Sequence, residues 1–183
     1  MYINFGINFI SISKIENKTN LIAELKQCNE GSILLNTSTR EEVYFFIVRI
    51  FFTSQAKNTF GIGIISESHG LLPHILLLPE ENKIFFGLNE QLIIFDSINK
   101  IATEITFNSL FFRFIHLIHL NIILVLHETG ILSVNAQKNK IIWKFDGDII
   151  EDFAIEETII KLKFIDQSTI IISLNDGQII SPI

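Results

Sequence analysis

The chain has 183 residues and a formal net charge of −6, and 48 % of its residues are hydrophobic, including 17 phenylalanines. This length predicts one domain with a sizeable core, and the many β-branched and aromatic residues favour strands over helices. No basic stripe is present, which excludes an obvious nucleic-acid surface, so we expect no nucleic-acid partner. The single cysteine, Cys28, excludes an internal disulfide and suggests a reducing, cytoplasmic location.

The first residues favour a strand over a targeting segment. Apolar and polar residues alternate over positions 3–9, which predicts a strand with one buried face, and the apolar phase changes at Ile10 and Ile12. That change suggests a bulge or a switch of sheet. The best membrane candidate, positions 110–126, contains Arg113 and other polar residues that are costly in a bilayer. We therefore expect neither a signal peptide nor a membrane partner.

One short helix is predicted over positions 20–28. Its apolar residues fall on one face, and Thr19 or Asn20 can cap its start. Gly31 follows as a stop signal, because glycine readily adopts the left-handed conformation that ends helices.

Positions 43–52 give conflicting signals. Thr39 and Glu42 have the spacing of a capping box, which favours a helix. The segment itself is rich in β-branched and aromatic residues, so we predict a buried strand. A turn over 54–58 and a second strand over 60–65 follow, with glycines in that strand where a backbone or large side chain comes close.

From position 75 the sequence repeats with a period near forty. Asp96, Asn135 and Asn175 occupy equivalent positions, 39 and 40 residues apart. The predicted hairpins cover residues 84–95, 122–134 and 159–174, with turns at 89–90, 128–130 and 175–177. Such a period is typical of stacked units that cannot bury their apolar faces alone.

The pattern predicts an all-β fold of about three stacked antiparallel hairpins or blade-like repeats, with one short N-terminal helix. The repeats would form a partial propeller or a rolled β-sandwich. We predict a single domain, residues 1–183, in which positions 1–74 contribute strands and the helix and positions 75–183 contribute the repeats.

The repeats resemble blades of pyrroloquinoline-quinone-type or WD-type propellers. The resemblance is carried by the strand, turn and strand at 126–135 and by the following strand at 139–145, whose Trp143 matches the tryptophan of an outer blade strand. The segments 148–153 and 175–178 are similar to the ends of many small uncharacterised bacterial proteins. The resemblance implies a β-repeat scaffold over about residues 75–183. Three units do not close a ring of four to eight blades, and no residues match those that hold the quinone.

The densest acidic cluster consists of Asp146, Asp148, Glu151 and Asp152. Its spacing is not that of an EF-hand loop. Two interpretations remain open, a solvated loop and an acidic contact surface that attracts a basic partner.

Four histidines and one arginine are further candidates. His69 and His74 flank Pro73 in a predicted loop, which is either a structural turn or part of a partner-binding site. His116 and His119 would share a helix face and bind a metal, but on a strand they point to opposite faces. We predict a strand there, and hence no metal site. Arg113 is either an edge charge that opposes aggregation, which we favour, or an anchor for a carboxylate.

The sequence contains no motif for catalysis and predicts no cofactor. We therefore predict a non-catalytic protein that binds another, possibly basic, protein, and that serves as an immunity or antitoxin-like partner. The candidate partner-binding residues are His69, His74, Asp146, Asp148, Glu151 and Asp152. One alternative is a metal-binding protein or hydrolase-like enzyme that uses the histidines and the acidic segment. Another is a structural subunit that forms a homo-oligomer to close a propeller.

Overall fold

The computed structural model describes residues 2–5, 8–36, 43–52, 58–67 and 73–182, and they form one five-stranded and three four-stranded sheets with one α-helix. The predicted all-β class with a short helix is confirmed. Two compact units are present, one of residues 1–73 with 77–83 and one of residues 74–76 with 84–183. Whether the two units fold as a single domain stays a prediction. Within the described ranges, no helix is long and apolar enough to cross a membrane.

The N-terminal unit is a mixed sheet with a helix on one face. Its elements are β1 (Tyr2–Phe5), β2 (Asn8–Ile15), α1 (Lys18–Lys26), β3 (Ser32–Asn36), β4 (Val43–Phe51) and β5 (Thr59–Glu67). The strand order is β1-β2-β4-β5-β3, in which β3 and β5 run parallel and the other described neighbours run antiparallel. The prediction of one alternating strand over 3–9 is wrong, because β1 and β2 pair as antiparallel neighbours with Phe5 opposite Asn8.

The strand predicted over 43–52 is confirmed as β4, and that over 60–65 as β5. The capping box at Thr39 and Glu42, and positions 54–57 of the predicted turn, lie outside the described residues. The helix begins two residues earlier than predicted. Asn17, and not Thr19 or Asn20, is the N-cap, because its side-chain oxygen accepts from the Asn20 backbone N–H at 2.9 Å.

Helix α1 packs closely on the sheet because the strand below it carries glycines. Leu21 and Leu25 are buried against Ile47 and Ile65. A Cβ on Gly63 would lie 2.7 Å from Leu25 Cδ1, which is inside normal contact distance. The glycines predicted to permit close approach therefore make room for the helix.

The C-terminal sheets are three antiparallel meanders, which we call blades 1, 2 and 3. Blade 1 comprises β6 (His74–Leu78), β7 (Lys83–Leu88), β8 (Gln91–Asp96) and β9 (Ile101–Thr106). Blade 2 comprises β10 (Phe111–Leu117), β11 (Ile122–His127), β12 (Gly130–Asn135) and β13 (Lys140–Asp146). Blade 3 comprises β14 (Ile150–Glu156), β15 (Ile159–Phe164), β16 (Thr169–Ser173) and β17 (Ile179–Pro182). In each blade the strands neighbour one another in chain order, and the three predicted hairpins are the central strand pairs.

Blades 2 and 3 share an apolar core. Leu124 and Leu126 of blade 2 belong to the same buried cluster as Ile160 and Leu162 of blade 3. Trp143 also lies in this cluster, on the outer strand as predicted, and its indole N–H donates to the Leu174 carbonyl at 2.9 Å. The repeats therefore bury their apolar faces against each other, as the period near forty implies.

Candidate functional site

A buried histidine lies at the end of β11, where the chain turns into β12. The side chain of His127 is 1 % exposed, and its ring stacks on that of Phe107 with centroids 4.9 Å apart. Its Nδ1 lies 2.7 Å from the hydroxyl oxygen of Ser109, in the linker between blades 1 and 2. Gly130 directly opposes His127 in the hairpin, and a Cβ there would lie 2.7 Å from the imidazole Cε1. The absence of a side chain at Gly130 thus allows the ring to lie inward.

A hydrogen-bond network joins Ser109, His127 and the following turn. The Ser109 oxygen accepts from the Thr129 backbone N–H at 3.1 Å and from the Thr129 hydroxyl at 3.0 Å. When Ser109 accepts both of these bonds, its own proton is directed to His127 Nδ1, and a neutral imidazole then carries its proton on Nε2.

Asp146, at the end of β13, completes a serine, histidine and aspartate grouping. Its Oδ1 lies 3.9 Å from His127 Nε2, beyond hydrogen-bond distance, and its Oδ2 lies 3.5 Å from Lys144 Nζ. Burial lowers the pKa of His127, and the Asp146 charge opposes that shift only in part. The grouping has the three residue types of a catalytic triad, but its aspartate lies too far from the imidazole to form a hydrogen bond with it.

The turn that contains Thr129 also holds the linker between blades 2 and 3. The Gly147 N–H donates to the Thr129 carbonyl at 2.8 Å, and the Ile150 N–H donates to the Glu128 carbonyl at 2.8 Å. The backbone on both sides of Asp148 is therefore hydrogen-bonded to this turn. Thr129 of the turn is connected to His127 through the Ser109 hydroxyl.

The four predicted acidic residues are all exposed, but they do not share a loop. Asp146 ends β13, Asp148 lies in the linker, and Glu151 and Asp152 lie in β14, so the loop interpretation holds for Asp148 and is wrong for the other three. On β14 the register shift between Ile150 and Asp152 forms a bulge, which leaves the adjacent residues Glu151 and Asp152 both exposed. Glu151 pairs with Lys163 at 2.7 Å, and a hydrogen bond from this lysine lowers the pKa of the glutamate.

Two exposed isoleucines accompany the acidic residues. Ile149 is 36 % exposed and Ile165 is 57 % exposed, and the Ile165 N–H donates to the Ile149 carbonyl at 3.0 Å. Asp166 follows directly, and hydrogen bonds from Ser168 lower the pKa of its carboxyl. We define the acid–isoleucine surface as Asp148, Ile149, Glu151, Asp152, Ile165 and Asp166. It places apolar side chains among charged ones, which is the composition of many protein interfaces.

The predicted histidine candidates lie elsewhere or outside the described ranges. His69 is outside the described residues. His74 is exposed at the start of β6, and its ring lies 5.2 Å from that of Phe111. His116 lies on β10 as predicted, whereas His119 lies in a short 3-10 helix. Among the described residues, no group of three histidine, cysteine or acidic residues could hold a metal ion.

Sequence reasoning missed Ser109 and His127 as partners. They are 18 residues apart, on a linker and a strand, and no local motif connects them. In the sequence His127 only follows an unbroken apolar run over positions 122–126, a signal that is shared by many unrelated residues.

Comparisons with known proteins support the fold and leave the activity open. No protein-family model matches the chain, and no curated protein matches it. The computationally designed proteins Ika8 and Ika4 are 11 % and 12 % identical, with TM-scores of 0.48 and 0.47, over 80 % and 64 % of this chain and 47 % and 76 % of theirs. The dihydro-heme d1 dehydrogenase NirN, solved in complex with DHE, is 12 % identical with a TM-score of 0.50. That match covers 78 % of this chain and 34 % of the dehydrogenase.

The chain thus spans about a third of the dehydrogenase, and at this identity the likeness concerns the fold alone. A propeller-like arrangement of β-repeats is consistent with the blades described above. The fold places this chain among the β-repeat proteins.

Proposed function

We propose that the C-terminal unit is a non-catalytic protein-binding module, whose acid–isoleucine surface receives a basic segment of another protein. The observation that carries the proposal is the exposure of Ile149 and Ile165 among four carboxylates on a backbone fixed by hydrogen bonds. Exposed apolar side chains contribute binding energy when a partner covers them. The surrounding carboxylates attract a basic segment and set its orientation.

The burial of Ser109 and His127 supports the non-catalytic part of the proposal. A hydrolase that used this serine would need access for a substrate to the serine oxygen. Both Ser109 and His127 are buried, and Phe107 covers one face of the imidazole. The grouping is better suited to hold the acidic segment in place than to carry out a reaction.

An immunity or antitoxin-like role is the finer form of the same proposal. A protein that masks a toxin needs a rigid surface of complementary charge and no activity of its own. A toxin whose lethality in cells is not relieved by co-expression of this chain would exclude that toxin as the partner. Self-association through the blades remains an alternative prediction, and a strictly monomeric protein in sedimentation would exclude it.

The proposal is tested by affinity capture with a variant that removes two carboxylates for which the described residues supply no ion pair. The tagged wild-type chain, the double variant Asp148→Asn with Asp152→Asn, and the control Glu80→Gln with Glu104→Gln are each exposed to the same lysate. All four positions are exposed, and both variants change the net charge equally. We expect one stoichiometric partner that is retained by the control, lost from the first variant and weakened by salt. Equal retention by both variants would exclude this surface as the binding site.

A further inference from the structure

Strand β10, the first strand of blade 2, carries an exposed aromatic side chain and an exposed arginine. It is the first strand in the order β10-β11-β12-β13, so one of its sides has no neighbour within the blade. Its pairing with β11 shifts between Phe111 and Arg113, which identifies Phe112 as the extra residue of a β-bulge. Blade 3 has the same shift between Ile150 and Asp152, 39 residues later. Arg113 and Asp152 are therefore equivalent positions of adjacent blades.

The guanidinium of Arg113 rests on two phenyl rings. Its Cζ lies 5.3 Å from the ring centroid of Phe112 and 5.7 Å from that of Phe153, on the inner strand of blade 3. Both distances are within the range of cation–π attraction. Phe112 is 56 % exposed, so this aromatic and cationic pair faces solvent.

Within the described ranges, no carboxylate lies within 4 Å of the Arg113 guanidinium. Arg49 provides the contrast, because its Nη2 lies 2.6 Å from Glu24 Oε2. Cation–π attraction to two rings restrains the position of the guanidinium. Because Arg113 is exposed, a planar acceptor can approach its N–H groups from solvent.

The charge around Arg113 selects the kind of anion. Phe153, which supports the guanidinium, directly follows Asp152, and Glu151 precedes both on β14. These carboxylates disfavour a dianion such as a phosphate group and the dense charge of a nucleic acid. A carboxylate is a single charge with two coplanar oxygens, which match the guanidinium fork. If the partner segment that supplies this carboxylate also carries basic residues, Glu151 and Asp152 attract those basic residues.

We propose that Arg113 is a carboxylate-binding site for the partner, which places an Asp or Glu side chain on Arg113 and basic side chains on the acid–isoleucine surface. The contact between basic side chains and the acid–isoleucine surface rests on the proposed function, whereas the contact between the carboxylate and Arg113 does not.

Two peptide probes separate the two contacts. The first is acetyl-Lys-Ile-Lys-Ile-Glu-amide, and the second has Gln in place of Glu. Each is titrated into wild-type protein, Arg113→Lys and Arg113→Gln, and the arginine side-chain N–H resonances are followed by NMR. The exposed position of Arg113 makes both variants compatible with folding. Arg49, already paired with Glu24, is the internal control.

We expect the Glu peptide to bind wild-type protein about three- to fivefold more tightly than the Gln peptide, as for an exposed ion pair. We also expect the Arg113 resonance to shift only with the Glu peptide, and both variants to reduce the preference. Lysine keeps the charge but loses the two-pronged geometry. Equal affinity of both peptides, or an unshifted Arg113 resonance, would overturn the carboxylate site.

The same titrations repeated with the Asp148→Asn and Asp152→Asn double variant test the other contact. If affinity for both peptides is unchanged in this variant while the Glu preference persists, the carboxylate site stands and the acid–isoleucine surface fails. If both peptides lose affinity equally while wild-type protein shows no Glu preference, the surface stands and the carboxylate site fails. Binding of neither peptide to wild-type protein would overturn both.

Discussion

Replacing Ser109 with alanine is the most direct test of the buried network in blade 2. The Ser109 hydroxyl takes part in three hydrogen bonds, whose partners are His127 Nδ1, the Thr129 N–H and the Thr129 hydroxyl. The variant removes the oxygen without adding bulk. It also makes a matched control available, because Ser133 of the same blade is fully buried and its hydroxyl has no hydrogen-bond partner among the described residues.

The expected magnitude follows from which groups lose a partner. His127 Nδ1 is left without a donor in a buried site, which costs about 1–3 kcal/mol. The two Thr129 groups are less buried and recover part of their bonding from water, so they add about 1 kcal/mol at most. We expect Ser109→Ala to lower the free energy of unfolding by about 2–3 kcal/mol. Ser133→Ala should be neutral or stabilise by up to about 1 kcal/mol, because it removes an unsatisfied polar group.

The assay is urea unfolding followed by the fluorescence of Trp143, the only tryptophan of the chain. Trp143 lies in the core shared by blades 2 and 3, so its emission reports on the unit that contains both serines. The slopes of the transitions should agree between variants, which makes the difference in midpoint a difference in stability. If Ser109→Ala were no less stable than Ser133→Ala, the network described for Ser109 would be incorrect.

Two further predictions concern a titrating group and a close contact. Since burial lowers the pKa of His127 below its usual 6.5, the unfolded chain binds this proton more tightly. The contribution of His127 to the free energy of unfolding is therefore complete above pH 6.5 and is lost as the pH falls from there. Urea midpoints measured across this range should fall more steeply for wild-type protein than for His127→Gln. Parallel profiles of the two proteins would contradict the lowered pKa. Gly63→Ala places a methyl group 2.7 Å from Leu25 Cδ1, so it should displace helix α1 and lower the free energy of unfolding by about 1–3 kcal/mol. Urea unfolding monitored by circular dichroism measures this loss, and a stability equal to that of wild-type protein would show that the helix does not pack closely on Gly63.

The hairpins of the blades could be predicted because their turns have local chemistry. The Asp96 carboxylate accepts from the N–H groups of Ile98 and Asn99, and the Asn135 side chain does the same two and three residues on. In the third repeat Asp176, and not the aligned Asn175, makes such a bond. A short polar side chain bonded to its own turn leaves a pattern in the sequence, so the period could be recognised even where the third copy is displaced by one residue.

The site could be predicted only in part, because its geometry depends on contacts between distant segments. Acidic residues at 146–152 stand out by composition, and their exposure agrees with that expectation. The neighbour Ile165 comes from the next hairpin, and its link to Ile149 is a backbone bond that no side-chain pattern records. The sequence favours an edge charge for Arg113 over a carboxylate anchor, because the rings near its guanidinium are brought there by a bulge and by the adjacent blade. Local patterns identify elements, whereas tertiary packing determines which side chains meet.

The outer surface of blade 3 has a consequence for solubility. Burial alternates along β15, where Ile160 and Leu162 face the shared core and Lys161 and Lys163 point away from it. Each lysine is held by a carboxylate of the same blade, Lys161 by Glu156 at 2.6 Å and Lys163 by Glu151 at 2.7 Å. Stacking another blade on this face would strip water from two ion pairs. Self-association through this face would therefore carry a desolvation penalty that the opposite, core-facing side of the sheet does not have.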